Sequence, residues 1–184
     1  MTERSRSIEG HRARGFTLVE LMITIAVLVI LVTLAIPAMS NILENRRLVG
    51  AGQAIYEQIQ FARTEAIKQS RNIFVVVEGG DGWCVAVSDD GDCNCAIADV
   101  EGDGACTLIA AVGGGGAERI LRRVVAEDYR AITMPSNGTT IEFNFVRGTV
   151  AQGAGEENAI VVQSPRGLRR TAQVNIVGQI TTGQ

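Results

Sequence analysis

One carboxylate lies near the start of a long apolar run, in the most unusual chemical surroundings of the sequence. Glu20 comes five residues after Gly15, and no charged residue follows between Leu21 and Ile36. Placing an acid at the centre of a membrane-spanning helix costs about 2.5 to 3.5 kcal/mol on insertion scales, and less near the interface. Such acids are usually paired and functional, so Glu20 is a candidate for ion pairing with a cation.

The apolar run is long enough to cross a bilayer. Residues 16–39 give about 24 residues, or roughly 36 Å of helix at 1.5 Å per residue. Four arginines precede the run, so the positive-inside rule places the N-terminus in the cytoplasm and the chain after Met39 on the other side. The residues after the run contain no convincing A-x-A cleavage site, which leaves a plain signal anchor as the simple alternative to a processed leader.

The residues around the junction carry a resemblance to a known family. The segment Arg14-Gly15-Phe16-Thr17-Leu18-Val19-Glu20-Leu21 resembles the type III prepilin signal of type IV pilins and type II secretion pseudopilins. The resemblance implies that an inner-membrane aspartyl peptidase cuts after Gly15 and methylates Phe16, and that Glu20 pairs with the N-terminal amine of a neighbouring subunit. Glycine before the cut suits an extended backbone in a protease cleft. A carboxylate paired in trans would set the register between subunits.

The helix is expected to continue past Pro37, with a kink near the membrane exit. Beyond it an apolar stripe recurs at steps of three and four and is predicted to pack on a sheet. The stripe consists of Leu48, Gly52, Ile55, Ile59, Ala62 and Ala66, with Glu57, Arg63, Glu65 and Lys68 mostly away from it.

The pattern changes from helix to strand after residue 72. Strand-like runs occupy residues 73–77, 83–87, about 119–125, 140–146, 159–163 and 172–180, and glycine clusters separate several of them. The predicted domains are a leader, 1–15; a transmembrane assembly helix, 16–39; an amphipathic half of the helix, 40–71; and a β-rich periplasmic domain, 72–184. The expected fold is pilin-like α+β, with one long N-terminal helix packed on antiparallel sheet.

A second resemblance covers the chain except its middle. The helical segment 60–68, the strand 73–77 and the ending Val174 to Ile180 are similar to the GspH/FimT family of minor pilins and pseudopilins. The resemblance implies partners of three kinds: other pilins through the N-terminal helix, the prepilin peptidase and the inner membrane.

Four cysteines are expected to form two disulfides in the oxidising compartment that the topology predicts. Of the three possible pairings, the one that joins Cys93 to Cys95 spans too few residues for ordinary disulfide geometry. Cys84 is therefore expected to pair with Cys93 or with Cys95, and Cys106 with the remaining cysteine. The bonds would staple the glycine- and aspartate-rich loop 88–107. Zinc is disfavoured because no C-x-x-C is present.

The same loop contains an incomplete calcium pattern. Asp90, Asp92, Asn94 and Glu101 occupy positions one, three, five and twelve of an EF-hand-like loop. Position six should be glycine but is Cys95, and no flanking helices are expected. Solvated turn residues are therefore the preferred interpretation, and no metal or other cofactor is predicted.

The sequence disfavours catalysis. His11 is the only histidine and lies in the leader, and Ser164 has no nucleophile-elbow context. The carboxylates on loops show no acid/base pair. The chain is therefore predicted to be no enzyme but itself the substrate of a peptidase.

A basic cluster near the end of the chain supports a rival function, the capture of DNA at a pilus tip. Arg147, Arg166, Arg169 and Arg170 could contact phosphates. DNA-binding relatives carry a late Gly-Arg-x-Arg pattern, whereas the corresponding stretch here is Gly178-Gln179-Ile180-Thr181. The body after residue 15 also has a net charge of −5, which disfavours general polyphosphate binding. The preferred function is a minor pilin or pseudopilin that enters or primes a type IV pilus or a type II secretion pseudopilus.

Overall fold

The computed structural model describes residues 16–112, 116–135, 138–150 and 158–183. Its first element is one helix, α1, which runs from Leu18 to Gln69 and continues past Pro37. The chain divides into two units, residues 1–41 and 42–184, and α1 contributes to both. The predicted leader, 1–15, lies outside the described residues.

In the part of the chain that the structure describes, ten strands follow α1 and form three antiparallel sheets. The five-stranded sheet has the order β5-β2-β1-β6-β7, the three-stranded sheet has the order β10-β9-β8, and β3 and β4 form a separate hairpin. The strands are β1 (Ile73–Glu78), β2 (Cys84–Ser88), β3 (Thr107–Val112), β4 (Gly116–Leu121), β5 (Arg123–Val125), β6 (Thr139–Asn144), β7 (Thr149–Val150), β8 (Ala159–Gln163), β9 (Arg169–Val174) and β10 (Ile180–Gly183). The α+β prediction is confirmed.

Two strand predictions need correction, and the strands β3 and β7 were not predicted. The run 119–125 is divided between β4 and β5, and the run 172–180 is divided by the turn 175–179, where Gly178 has φ +73°. A left-handed residue of this kind ends a strand and favours glycine. The apolar strand β3 was not predicted, because its sequence TLIAAV lies among cysteines, glycines and acids that indicate a loop.

The main core lies between α1 and both larger sheets, because β8 and β9 of the three-stranded sheet contribute buried residues to it as well as the five-stranded sheet. Leu48, Ile55, Ile59, Ala62 and Ala66 are almost fully buried, which confirms the predicted stripe apart from Gly52, whose place in the core is taken by Ala51. Alternate residues of β1 and β2 face this helix. They are Ile73, Val75 and Val77 of β1, and Val85 and Val87 of β2. Alternation at period two is what one buried face of a strand requires.

Glu65 is the exception to the predicted polar face, since it is only 6% exposed. Burial alone would raise the pKa of Glu65, but hydrogen bonds from Lys68 and Gln69, together with the charges of Lys68 and Arg71, hold the pKa below its ordinary value. Because the pKa is lower in the folded state, the ionised carboxylate stabilises the fold at neutral pH. That contribution is lost as the pH falls through the lowered pKa.

A second, smaller core covers the other face of β1 and β2. It contains Val76, Cys84, Ala86, Cys93, Cys95 and Cys106, with Phe74 and Val125 packed against it. Disulfides join Cys84 to Cys95 and Cys93 to Cys106, with Cα separations of 5.9 and 4.9 Å. Of the two pairings that the sequence left open, the structure thus has the one in which Cys84 pairs with Cys95 and Cys106 with Cys93.

Two turns of the β-domain meet beside the second half of α1. Val150 N, in β7, donates a hydrogen bond to Ile176 O in the turn between β9 and β10. Arg63 of α1 donates to Val177 O at 3.3 Å. A Cβ on Gly178 would clash with the backbone oxygen of Gly148. Glycine at position 178 is therefore required both by its positive φ and by the close approach of two backbones.

We expect Gly178→Ala to destabilise the protein by about 1 to 3 kcal/mol, the usual cost of a residue held in a strained backbone conformation. The free energy of unfolding would be measured by urea titration of the full chain in detergent. Gly82→Ala is the matched control, because a Cβ there has no atom within 4 Å. Equal stabilities for the two variants would contradict the close packing of the turns.

We expect peptide mapping of oxidised protein to find the Cys84–Cys95 and Cys93–Cys106 bonds. Replacing Cys93 and Cys106 together by alanine should lower the free energy of unfolding by about 2 to 5 kcal/mol, the usual cost of losing a disulfide in a small exported domain. Four thiols that react with an alkylating reagent before reduction, or a Cys84–Cys93 bond, would contradict this arrangement.

Candidate functional site

Glu20 lies in the first turn of α1. Thr17 precedes the first helical residue, and its Oγ1 accepts a hydrogen bond from the backbone N of Glu20 at 3.2 Å. Thr17 and Glu20 thus have the spacing of a capping box, in which the third helical residue is glutamate or glutamine. An acid in this turn is also favoured by the helix dipole. Glu20 therefore has a role within its own chain besides the pairing expected between subunits.

The carboxylate of Glu20 makes no hydrogen bond or ion pair with any residue in the described part of the chain. Next to it, Phe16 is 82% exposed. Gly15, the predicted cleavage position, lies outside the described residues. An exposed acid at the end of an apolar helix can form an ion pair with a cation of another molecule, with little rearrangement of its own chain.

The first part of α1 presents apolar side chains on all sides. Its large apolar residues from Leu18 to Leu34 are between 46% and 73% exposed, and none of the most apolar window is buried. By length and composition α1 could cross a membrane. The hydroxyls of Thr24 and Thr33 donate to carbonyls three residues earlier, so they add little polar surface.

The four residues of the calcium pattern do not form one cluster. Asp90 and Glu101 line a depression of about 360 Å³, whereas Asp92 and Asn94 are absent from its lining among the described residues. Asp90 accepts a hydrogen bond from the backbone of Asp92, and Asn94 accepts one from Ala96. Asp90 and Asn94 therefore shape their own turns, as the preferred interpretation expects.

One other group in the described residues has metal-ligand geometry. It consists of Glu78, Cys84 and Cys95. The two sulfurs are joined in a disulfide, so neither is a thiolate ligand. Glu78 instead accepts a hydrogen bond from the backbone of Cys95. The chemistry of this group is structural.

The structure separates the four predicted basic residues. Arg166 forms an ion pair with Glu44 at 3.2 Å. Glu44 lies on α1 two residues after position 42, where the second unit begins. Arg147 lies in the turn 145–148, whose Gly148 adjoins Arg63. The 19 residues of helix between positions 44 and 63 rise about 28 Å. Arg166, Arg169 and Arg170 are thus grouped on and beside the β8–β9 turn, and Arg147 is far from them.

Two features of these sites were missed in the sequence. The capping box could have been recognised, because Thr17 stands three residues before Glu20. The Glu44–Arg166 pair could not, because 122 residues separate its members and only the tertiary fold brings them together.

The comparisons with known proteins agree with this arrangement. A family model described as type II transport protein GspH matches residues 51–179, and a model of the prokaryotic N-terminal methylation motif matches residues 10–36. No curated protein and no solved structure matches the chain significantly. The first match covers most of the chain, and the second contains Gly15, Phe16 and Glu20. The chain therefore belongs to the GspH family of pilin-like proteins and carries a prepilin-type signal.

Proposed function

We propose that this protein is a minor pilin or pseudopilin, a structural subunit that assembles into a type IV pilus or a type II secretion pseudopilus or primes its polymerisation. The observation that carries the proposal is Glu20, an exposed carboxylate in the first turn of α1, without a partner in the described residues and beside an apolar helical surface. The description of the matched family names type II transport. Type IV pili and type II secretion pseudopili use the same kind of leader and helix, so the protein is proposed to be a filament subunit of one or the other.

The proposed maturation supplies the missing cation. Cleavage after Gly15 creates an amine at Phe16, which is then methylated and keeps its positive charge. This cation lies about one helical turn from its own Glu20. When helices pack side by side and water is displaced, an unpaired carboxylate becomes costly, and the amine of a neighbouring subunit offsets the cost. Assembly would therefore select the register in which Phe16 meets Glu20.

The proposed topology divides the chain at the boundaries given above. The leader, 1–15, is cytoplasmic, residues 16–39 cross the inner membrane, and residues 40–71 and 72–184 form the periplasmic domain. The exposure of the apolar helix and the two disulfides support this topology. Assembly would extract the subunit from the membrane into the filament.

The proposed role is structural, since the family is structural and the only histidine belongs to the leader. We do not propose DNA capture, because Arg147 lies far from the other three arginines. The stretch from Gly178 to Thr181 also carries no arginine and begins in a turn that packs on Gly148.

We expect Gly15→Val to leave a longer, membrane-bound precursor, because a β-branched side chain before the cut obstructs the extended backbone in the peptidase cleft. Intact-mass analysis of membrane protein from a strain with the peptidase would detect it. Gly82→Val, in an exposed turn of the domain, is a control that should mature normally. Normal maturation at Phe16 in the Gly15 variant would contradict the prepilin interpretation.

We expect Glu20→Gln to be processed and membrane-resident but poorly recovered with filaments. The Thr17 cap is donated by the backbone N of residue 20, so both variants keep it. Glutamine removes only the charge and keeps a polar side chain of similar size. Glu20→Ala removes the polar group as well and should assemble no better. The measurement is the ratio of each variant in sheared filaments to its level in the membrane.

Parental recovery of Glu20→Gln would defeat the pairing between subunits. If Glu20→Gln assembled normally and Glu20→Ala did not, the residue would act through hydrogen bonding by its side chain instead of its charge. Loss of either variant from the membrane itself would indicate a role in folding or insertion.

A further inference from the structure

Four arginines lie at the end of the second unit where α1 enters it. Arg46 and Arg47 lie on α1, and Arg166 and Arg169 lie on and beside the β8–β9 turn. All four are exposed. We name this group the basic collar.

Glu44 holds the two parts of the basic collar together. Its carboxylate accepts a hydrogen bond from the backbone of Arg166 and forms an ion pair with the Arg166 side chain. Glu44 is the more buried partner, with 16% of its side chain exposed, and Arg166 keeps 48%. The pair therefore fixes the turn to the helix while the other collar arginines face solvent.

The basic collar surrounds the helix. At 100° per residue, Arg46 points away from the buried Leu48, and Arg47 lies on the flank of the helix opposite Asn45. Asn45 faces the β9 side, where it lines a groove with Arg169. The charges are thus distributed around the axis. A ring of charge around the helix fits a flat anionic surface that the helix crosses. It fits a linear polyanion less well, because a polyanion needs a continuous strip of basic residues.

The charge of the unit is polarised. Residues 42–184 contain 13 arginines and lysines against 17 aspartates and glutamates, a net charge of −4. The collar with Glu44 carries +3, so the remainder carries −7. An anionic surface would attract this end of the unit and repel the rest.

Apolar surface lies within the same end. Leu168, between Arg166 and Arg169, is 50% exposed, and Leu43, one residue before Glu44, is 46% exposed. Apolar side chains between arginines are typical of surfaces that sit at the headgroup level of a bilayer. Arg46 is also only seven residues after Met39, which is at most about 25 Å even for an extended chain.

We propose that the basic collar binds anionic phospholipid headgroups of the membrane from which α1 emerges, so that the domain of an unassembled subunit docks on that surface. The inference rests on the membrane insertion proposed above. It assigns Arg166 and Arg169 to lipid instead of DNA. Docking would hold the domain in one orientation until assembly removes it from the bilayer.

The test uses the full chain in nanodiscs of phosphatidylcholine, with or without phosphatidylglycerol, that contain a lipid with a spin-labelled headgroup. A fluorophore on Pro165→Cys reports on the collar, and one on Val146→Cys reports on the distant turn 145–148. We expect phosphatidylglycerol to increase quenching at position 165 only, and added salt to reverse it.

The double variant Arg46→Gln/Arg169→Gln should lower the ratio of docked to undocked protein roughly 30-fold, which corresponds to about 1 kcal/mol for each arginine near an anionic surface. Its matched control, Arg119→Gln/Arg147→Gln, removes the same charge from exposed positions outside the collar and should behave like the parent.

Three results would overturn the proposal. Equal quenching at both positions, or equal effects of the two double variants, would show that the collar is not the contact. A change at position 165 with duplex DNA but not with phosphatidylglycerol would make it a nucleic-acid site. If the chain enters the discs and resists carbonate extraction but shows no docking, lipid binding by the basic collar would be refuted and the proposed membrane insertion would stand. A chain that fails to enter the discs would refute the membrane insertion as well.

Discussion

The apolar stripe of α1 from Leu48 to Ala66 needs a partner surface, and most of the domain is arranged to supply it. Each of its large side chains is almost fully buried against β1, β2 and their neighbours. Fully burying a side chain of this size contributes about 1.5 to 3 kcal/mol. A single helix cannot bury its own stripe, so the helix and the sheet are stable only together.

The sheet has two faces, and each is covered by different means. One face packs on α1, and the other carries a small core of four cysteines with Val76 and Ala86, under a loop rich in glycine and aspartate. That loop has little apolar surface of its own, so two disulfides stabilise its position where packing is insufficient. Arg123 adds hydrogen bonds to the carbonyls of Cys95 and Ala96.

Charge is placed sparingly along α1. From Leu21 to Leu43 the helix is uncharged, and an acid stands at each end of this segment. Glu44 is satisfied by Arg166 of its own chain, whereas the carboxylate of Glu20 has no partner in the described residues. Glu44 is therefore structural. Glu20 is exposed, so it is available to another molecule.

The sequence alone determined the features that depend on neighbours along the chain. Local patterns of the sequence indicate the apolar run, the lone Glu20, the stripe from Leu48 to Ala66 and the fold class. They do so because the periodicity of apolar residues follows directly from helix and strand geometry. The choice between the two disulfide pairings, the burial of Glu65, the Glu44–Arg166 pair and the separation of Arg147 from the other arginines were decided only by tertiary structure. Each of these depends on which distant segments meet, and the one-dimensional pattern leaves that undetermined because many chain arrangements satisfy the same local preferences.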